Sequence, residues 1–160
     1  MEKLELTQVP VAKTGMLIRK PVANVFEALV NPEITKKFWF TEGSGRLESG
    51  KQVQWDWEMY NVSAQVSVKA IEPNRRIEIE WPGNGGPTSV TWTFKPFKGD
   101  STFVEVEEAG FAGSGDELVK IVADSTQGFT LMLAGLKAFL EYDIRLNLTA
   151  DRYPEGIPEH

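Results

Sequence analysis

Apolar residues recur along this chain with two different periods, and the switches between them divide it into elements. Thr14 to Lys20 reads as a short strand, after which Val22, Val25, Phe26 and Leu29 fall at i, i+3, i+4 and i+7, one face of a helix. Pro21 suits the opening of that helix, because proline has a preset φ and no amide hydrogen to leave unpaired. Asn31-Pro32 repeats the start signal, with Asn31 as the N-cap of a second short helix carrying Ile34, Phe38 and Trp39.

From Thr41 the period becomes two. Val53, Trp55, Trp57 and Met59 alternate with Gln54, Asp56 and Glu58, so one face is apolar and the other wet. The same alternation returns in Val62, Ala64, Val66 and Val68, in Ile77, Ile79 and Trp81, in Val90, Trp92 and Phe94, and in Val104 and Val106. Pro73-Asn74, the Pro82 to Pro87 run and Lys98-Gly99-Asp100 are turn-rich breaks, short enough for antiparallel neighbours. Counting the first strand, the pattern predicts a meander of about six strands.

Ser114 and Glu117 have the spacing of a capping box, so a helix is expected to start there. Leu118, Ile121, Val122, Phe129, Met132, Leu133, Leu136, Phe139 and Leu140 carry its apolar face to Asp143 or a little beyond, with Gly128 as the point for a kink. Asp151 onward reads as an irregular tail. A strand, two short helices, a strand meander and a long final helix bury their apolar faces best when the sheet curves around that helix. The expected fold is therefore α+β of the helix-grip kind, a curved antiparallel sheet wrapped on a long C-terminal helix. The 160 residues fit one domain, 1–160, with a core from about 14 to 145 and a tail at each end.

Composition narrows the function classes. A formal net charge of -6 disfavours nucleic-acid and anionic-membrane surfaces, which attract clustered Lys and Arg. There is no cysteine, hence no disulfide or thiolate chemistry, and the single histidine is His160 at the chain end, which sets aside Ser-His catalysis and histidine-centred metal sites. No cofactor and no catalytic residue is predicted. The acidic start Met1-Glu2-Lys3-Leu4-Glu5 lacks the basic-then-apolar order of a signal peptide, and no run reaches the length of a membrane span, so a cytoplasmic location is expected. Pro10 limits any regular strand near the N-terminus. Gly83-Asn84-Gly85-Gly86 lacks the Lys-Ser/Thr of a phosphate-binding loop and reads as a hairpin turn.

Several strings resemble a known family. Pro21 to Leu29, Asn31 to Trp39 and Gly128 to Glu141, with Ile71 to Ile77 and Glu107 to Phe111, are similar to recurrent stretches of the START-like superfamily, also called SRPBCC, in its branch of homologues of the activator of heat-shock protein 90 ATPase. Phe129 stands where many relatives carry tryptophan. The resemblance covers about Thr14 to Asp143 and implies a cavity between sheet and final helix that in relatives holds lipids, sterols, polyketides or other apolar molecules.

The candidate ligand-binding residues lie on the predicted inward faces. They are the rings Phe26, Trp39, Trp55, Trp57, Trp81, Trp92, Phe94 and Phe129, with Val66, Leu133 and Leu136 beside them. If Val104 and Val106 point inward, Glu108 does too, and places a carboxylate at the pocket mouth, where it orients a hydroxyl or amine or is simply solvated. Asp56, Glu58, Glu78, Glu80, Glu105 and Glu107 belong to the wet faces, and Arg46 and Arg76 to the surface. The leading expectation is a module that binds an apolar small molecule or lipid. The alternatives are a co-chaperone-like protein whose partner is a chaperone, and a small polyketide cyclase or dehydratase.

Overall fold

A computed structural model describes residues 4–157. The elements in chain order are β1 (Ala12–Ile18), α1 (Val22–Val30), α2 (Pro32–Thr35), β2 (Glu42–Gly43), β3 (Gln52–Trp57), β4 (Val62–Glu72), β5 (Arg76–Gly83), β6 (Gly86–Phe97), β7 (Ser101–Ala109), α3 (Gly115–Tyr142) and α4 (Leu148–Arg152). The seven strands form one antiparallel sheet ordered β1-β7-β6-β5-β4-β3-β2. Every pairing from β2 to β7 is thus between sequence neighbours, as short turns require, and only β1 crosses to close the far edge on β7. A register shift between Val68 and Ala70 bulges β4. Such a bulge bends its strand and adds to the curvature that lets a sheet enclose a helix.

Inward parity follows the period-two reading through most of the sheet. Val53, Trp55, Val66, Val68, Ile77, Ile79, Val90, Trp92, Phe94, Val104 and Val106 are all buried. α3 lays Phe129, Met132, Leu133 and Leu136 against them, and α1 adds Val25, Phe26 and Leu29. The Asn31 side chain accepts the Glu33 amide hydrogen at 3.1 Å, which caps α2. At the start of α3 the Glu117 carboxylate accepts the Ser114 amide hydrogen at 3.4 Å. The helix then runs unbroken through Gly128 and ends at Asp143, whose φ of 54° lies in the left-handed region.

Four details differ from the sequence expectations. The first strand spans Ala12–Ile18, two residues earlier than the pattern placed it, because Arg19 and Lys20 already turn toward α1. Met59 leaves the sheet on a 3-10 turn, Glu58–Tyr60, and is exposed, since the chain must reverse there to pair β4 with β3. A seventh strand, the two-residue β2, was too short to show a period. The stretch after α3 contains α4, whose Thr149 carbonyl accepts a hydrogen bond from the Tyr60 hydroxyl.

α3 is tied to the β1–α1 junction by polar contacts. Lys137 Nζ donates to the Leu17 carbonyl at 2.9 Å and to Glu141 Oε2 at 2.7 Å, and the same oxygen accepts the Arg19 amide hydrogen at 2.8 Å. Thr130 and Thr14 join their hydroxyls at 2.8 Å higher along the helix. Burial pushes the Glu141 carboxyl upward, but the Arg19 amide and the Lys137 ammonium together hold it below its ordinary value.

Two glycines of α3 predict opposite outcomes for one substitution. A Cβ on Gly135 would stand 2.9 Å from the Phe38 carbonyl oxygen, whereas one on Gly128 meets nothing within 4 Å. Gly135→Ala is expected to destabilise by about 1–2 kcal/mol, overpacking outweighing the helix propensity of alanine. Gly128→Ala is expected to stabilise by about 0.5–1 kcal/mol. Denaturant midpoints check both, and equal shifts would refute the close approach. Because Glu141 has a depressed folded pKa, its contribution is present above the ordinary carboxylate range and is lost as pH falls through the folded value. Glu141→Gln is expected to cost about 1 kcal/mol at neutral pH, the low end for a charged hydrogen bond because Lys137 is partly exposed. That deficit should close as unfolding is repeated at falling pH, and a constant deficit would remove Glu141 from the acid response.

Candidate functional site

Trp39, on the turn that follows α2, projects into the space between sheet and α3 and gathers the other rings around it. Its ring centroid lies 5.1 Å from that of Trp55, 5.6 Å from Trp57, 6.0 Å from Trp92, 5.9 Å from Phe129 and 6.3 Å from Trp81. Most of these pairs meet edge to face, the arrangement that ring quadrupoles prefer. Trp81 and Phe129 stack at 6.0 Å, and Phe26 meets Phe94 at 5.4 Å farther along the sheet. Val66, Leu133 and Leu136 are fully enclosed in the same core. The indole N–H of Trp92 is buried and has no acceptor among the described residues.

Glu108 is the polar member of the set, and it is buried. On the sheet it stands opposite Val90 of β6 and Ala12 of β1, so its side chain shares the inward face with Thr88, two residues from Val90, and with Trp81, which pairs with Thr88. Trp81 Nε1 donates to Glu108 Oε2 at 2.9 Å, Thr88 Oγ1 to the same oxygen at 2.5 Å, and Ser125 Oγ to Oε1 at 2.6 Å. The donors come from β5, β6 and α3, so the carboxyl joins the sheet to the helix. None of them is charged. Such a group can hold a hydrogen-bond donor at Oε1.

Ser125 and Thr88 were not among the sequence candidates, although both carried a signal. Ser125 lies midway between Ile121 and Phe129 at four-residue steps along the apolar stripe of α3, and Thr88 continues the Val90-Trp92-Phe94 alternation backward. A hydroxyl on an apolar face implies a buried partner. Arg46, by contrast, forms a two-pronged pair with Glu27 at 2.8 Å for each contact, and this pairing holds the Glu27 carboxyl below its ordinary value. Arg76 pairs with Glu72 and Glu78. Both pairs lie away from the interior.

Beside Glu108 a pocket of about 210 Å³ opens between sheet and helix, walled by Trp81, Thr88, Phe111, Ile121 and Ser125 and covered by the Pro82–Gly86 hairpin tip. It adjoins a wider groove of about 940 Å³ bounded by the N-terminal half of α3 and by Arg152, Tyr153 and Ile157. Asn84, Gly85, Ala112 and Ile121 border both spaces. A Cβ on Gly85 would stand 2.7 Å from that of Ala112, so the hairpin tip rests on the β7–α3 junction only because glycine is there. Of the sequence candidates, Trp81 and Glu108 line this pocket, and Trp39 lines two other clefts near α4, of about 290 and 100 Å³. Trp55, Trp57, Trp92, Phe94, Phe129 and the aliphatic candidates pack among themselves behind it. Among the described residues no group of three or more His, Cys, Asp and Glu side chains is placed to hold a metal, and His160 lies outside them. No described helix is long and apolar enough to cross a membrane.

Comparison with known proteins gives the lineage of this arrangement. No curated protein matches the chain. Among solved structures, the protein SSP2350 from Staphylococcus saprophyticus is similar with a TM-score of 0.74 and 28% identity, over 86% of this chain and 96% of that one. The Aha1 dimer from Colwellia psychrerythraea gives a TM-score of 0.71 at 18% identity, over 83% and 97%. The di-domain ARO/CYC protein BexL from the BE-7585A biosynthetic pathway gives 0.72 at 15%, over 82% of this chain and 46% of BexL, about half of that longer protein. At such identities the last two show a shared fold and nothing finer. Residues 19–141 match the family described as Activator of Hsp90 ATPase homolog 1-like protein. With a helix-grip fold and a family match across most of its length, the chain belongs to the Activator of Hsp90 ATPase homolog 1-like family.

Proposed function

We propose that this protein binds a small, largely apolar molecule between its sheet and α3, entering beneath the β5–β6 hairpin. The observation that carries this reading is the pocket beside Glu108, which has aromatic and aliphatic walls and a few convergent polar groups at one end. Its volume of about 210 Å³ suits a ring system, and the adjoining groove gives room for a substituent. The di-domain ARO/CYC protein BexL shares the fold. The family description raises a chaperone as a partner, but no local feature favours one.

Native mass spectrometry of the freshly purified protein, with organic extraction and a thermal-shift screen of fatty acids, sterols and aromatic polyketides, tests the proposal. A co-purified apolar molecule is expected, or a shift that grows with ligand concentration and corresponds to about 2.7 kcal/mol at a hundredfold excess over Kd. Ile121→Trp, which fills the pocket from α3, is expected to weaken that binding about tenfold or more while the far-ultraviolet spectrum stays unchanged. Undiminished binding in the folded variant would place the ligand elsewhere.

A further inference from the structure

The hydrogen bonds at the pocket floor restrict what its polar end can recognise. The indole N–H of Trp81 and the hydroxyl hydrogens of Thr88 and Ser125 are all committed to Glu108. An indole nitrogen only donates, and each hydroxyl has a single hydrogen to give. What remains for a guest is therefore a set of lone pairs: those on Thr88 Oγ1 and Ser125 Oγ, and the unused acceptor position of Glu108 Oε1. These side chains offer no donor.

Charge sharpens the restriction. Glu108 is 6% exposed, and no lysine or arginine lines its pocket. Lys120 and Arg152 border the outer groove instead, and Arg152 is engaged by Gln127 Oε1 at 2.6 Å and by the Tyr153 ring. Three neutral donors solvate the carboxyl but leave its charge unmatched in a region from which water is largely excluded.

We infer that the floor of this pocket is a seat for an ammonium group, so that the ligand is a primary or secondary amine carried on an apolar, ring-sized body. This deepens the binding reading above and rests on it. Glu108 and Ser125 are the groups that set the class, and an alcohol of the same shape, able to donate only one hydrogen and carrying no charge, is the second choice. A carboxylate is disfavoured by repulsion from Glu108 and because the Trp81, Thr88 and Ser125 hydrogens are already given to it.

Isothermal titration of the purified protein with tryptamine, tryptophol and indole-3-propionate separates these outcomes, because the three share a body and differ in the terminal group. Tryptamine is expected to bind about tenfold or more tightly than tryptophol, with indole-3-propionate the weakest. Glu108→Gln is expected to erase most of the difference between tryptamine and tryptophol, the larger loss falling on tryptamine. Should that variant fail to fold, the wild-type series still decides the matter. Tryptophol or indole-3-propionate binding as well as tryptamine would overturn the amine assignment and leave the pocket standing as an apolar site. Binding of none of the three would overturn the pocket reading beneath it.

Discussion

The structure depends on one contact, the burial of the apolar stripe of α3 against the concave face of the sheet. Neither surface is stable in water alone, and each supplies what the other lacks: a broad curved wall of Val, Ile and Trp, and a rod that carries Phe129, Met132, Leu133 and Leu136 along one side. Trp39 wedges into the gap from the α2 side and fills it with ring contacts, so the two short helices are part of the grip and not an appendage. Where the approach is tightest, at Gly135 against the Phe38 carbonyl, the helix has no room for even a methyl group. A long helix held this closely cannot shift along the sheet without breaking several contacts at once.

At its two ends the same packing becomes polar, and the ends differ. Near the C-terminus of α3, Lys137 and Glu141 bond to β1 and its exit with their charges paired, an arrangement that anchors the helix. Near its N-terminal half the tie is Ser125 to Glu108, a buried carboxyl with only neutral donors. Balanced charge closes the first junction. The second leaves a buried carboxyl with neutral donors only beside a pocket, and the proposed ligand site rests on this asymmetry.

Family membership and local geometry address different questions. The match over residues 19–141 accounts for the fold and for the aromatic and aliphatic positions that any helix-grip core requires. It does not choose among the activities that share this architecture, since function resides in the groups grafted onto a fold. In the site proposed here those groups are Trp81, Thr88, Glu108 and Ser125, drawn from three strands and a helix.

How much of this was legible in the chain alone follows from the range of each interaction. Period and punctuation are local, so α1, α2, α3 and the longer strands could be read from Val22-Val25-Phe26-Leu29, from Asn31-Pro32 and from the alternation around Trp92. The inward parity of Glu108 was legible for the same reason. Elements too short for a period were not, as β2 and α4 show, nor was the turn that carries Met59 to the surface. By itself the sequence determined the order of the elements that make the helix-grip architecture and the inward face of rings such as Trp55, Trp92 and Phe94, because both follow from residues a few positions apart. Only the tertiary structure decided that Ser125, 17 residues beyond Glu108 in the chain, and Trp81, 27 residues before it, meet on one carboxyl beside an open pocket, because that convergence depends on strand register and on where α3 crosses the sheet.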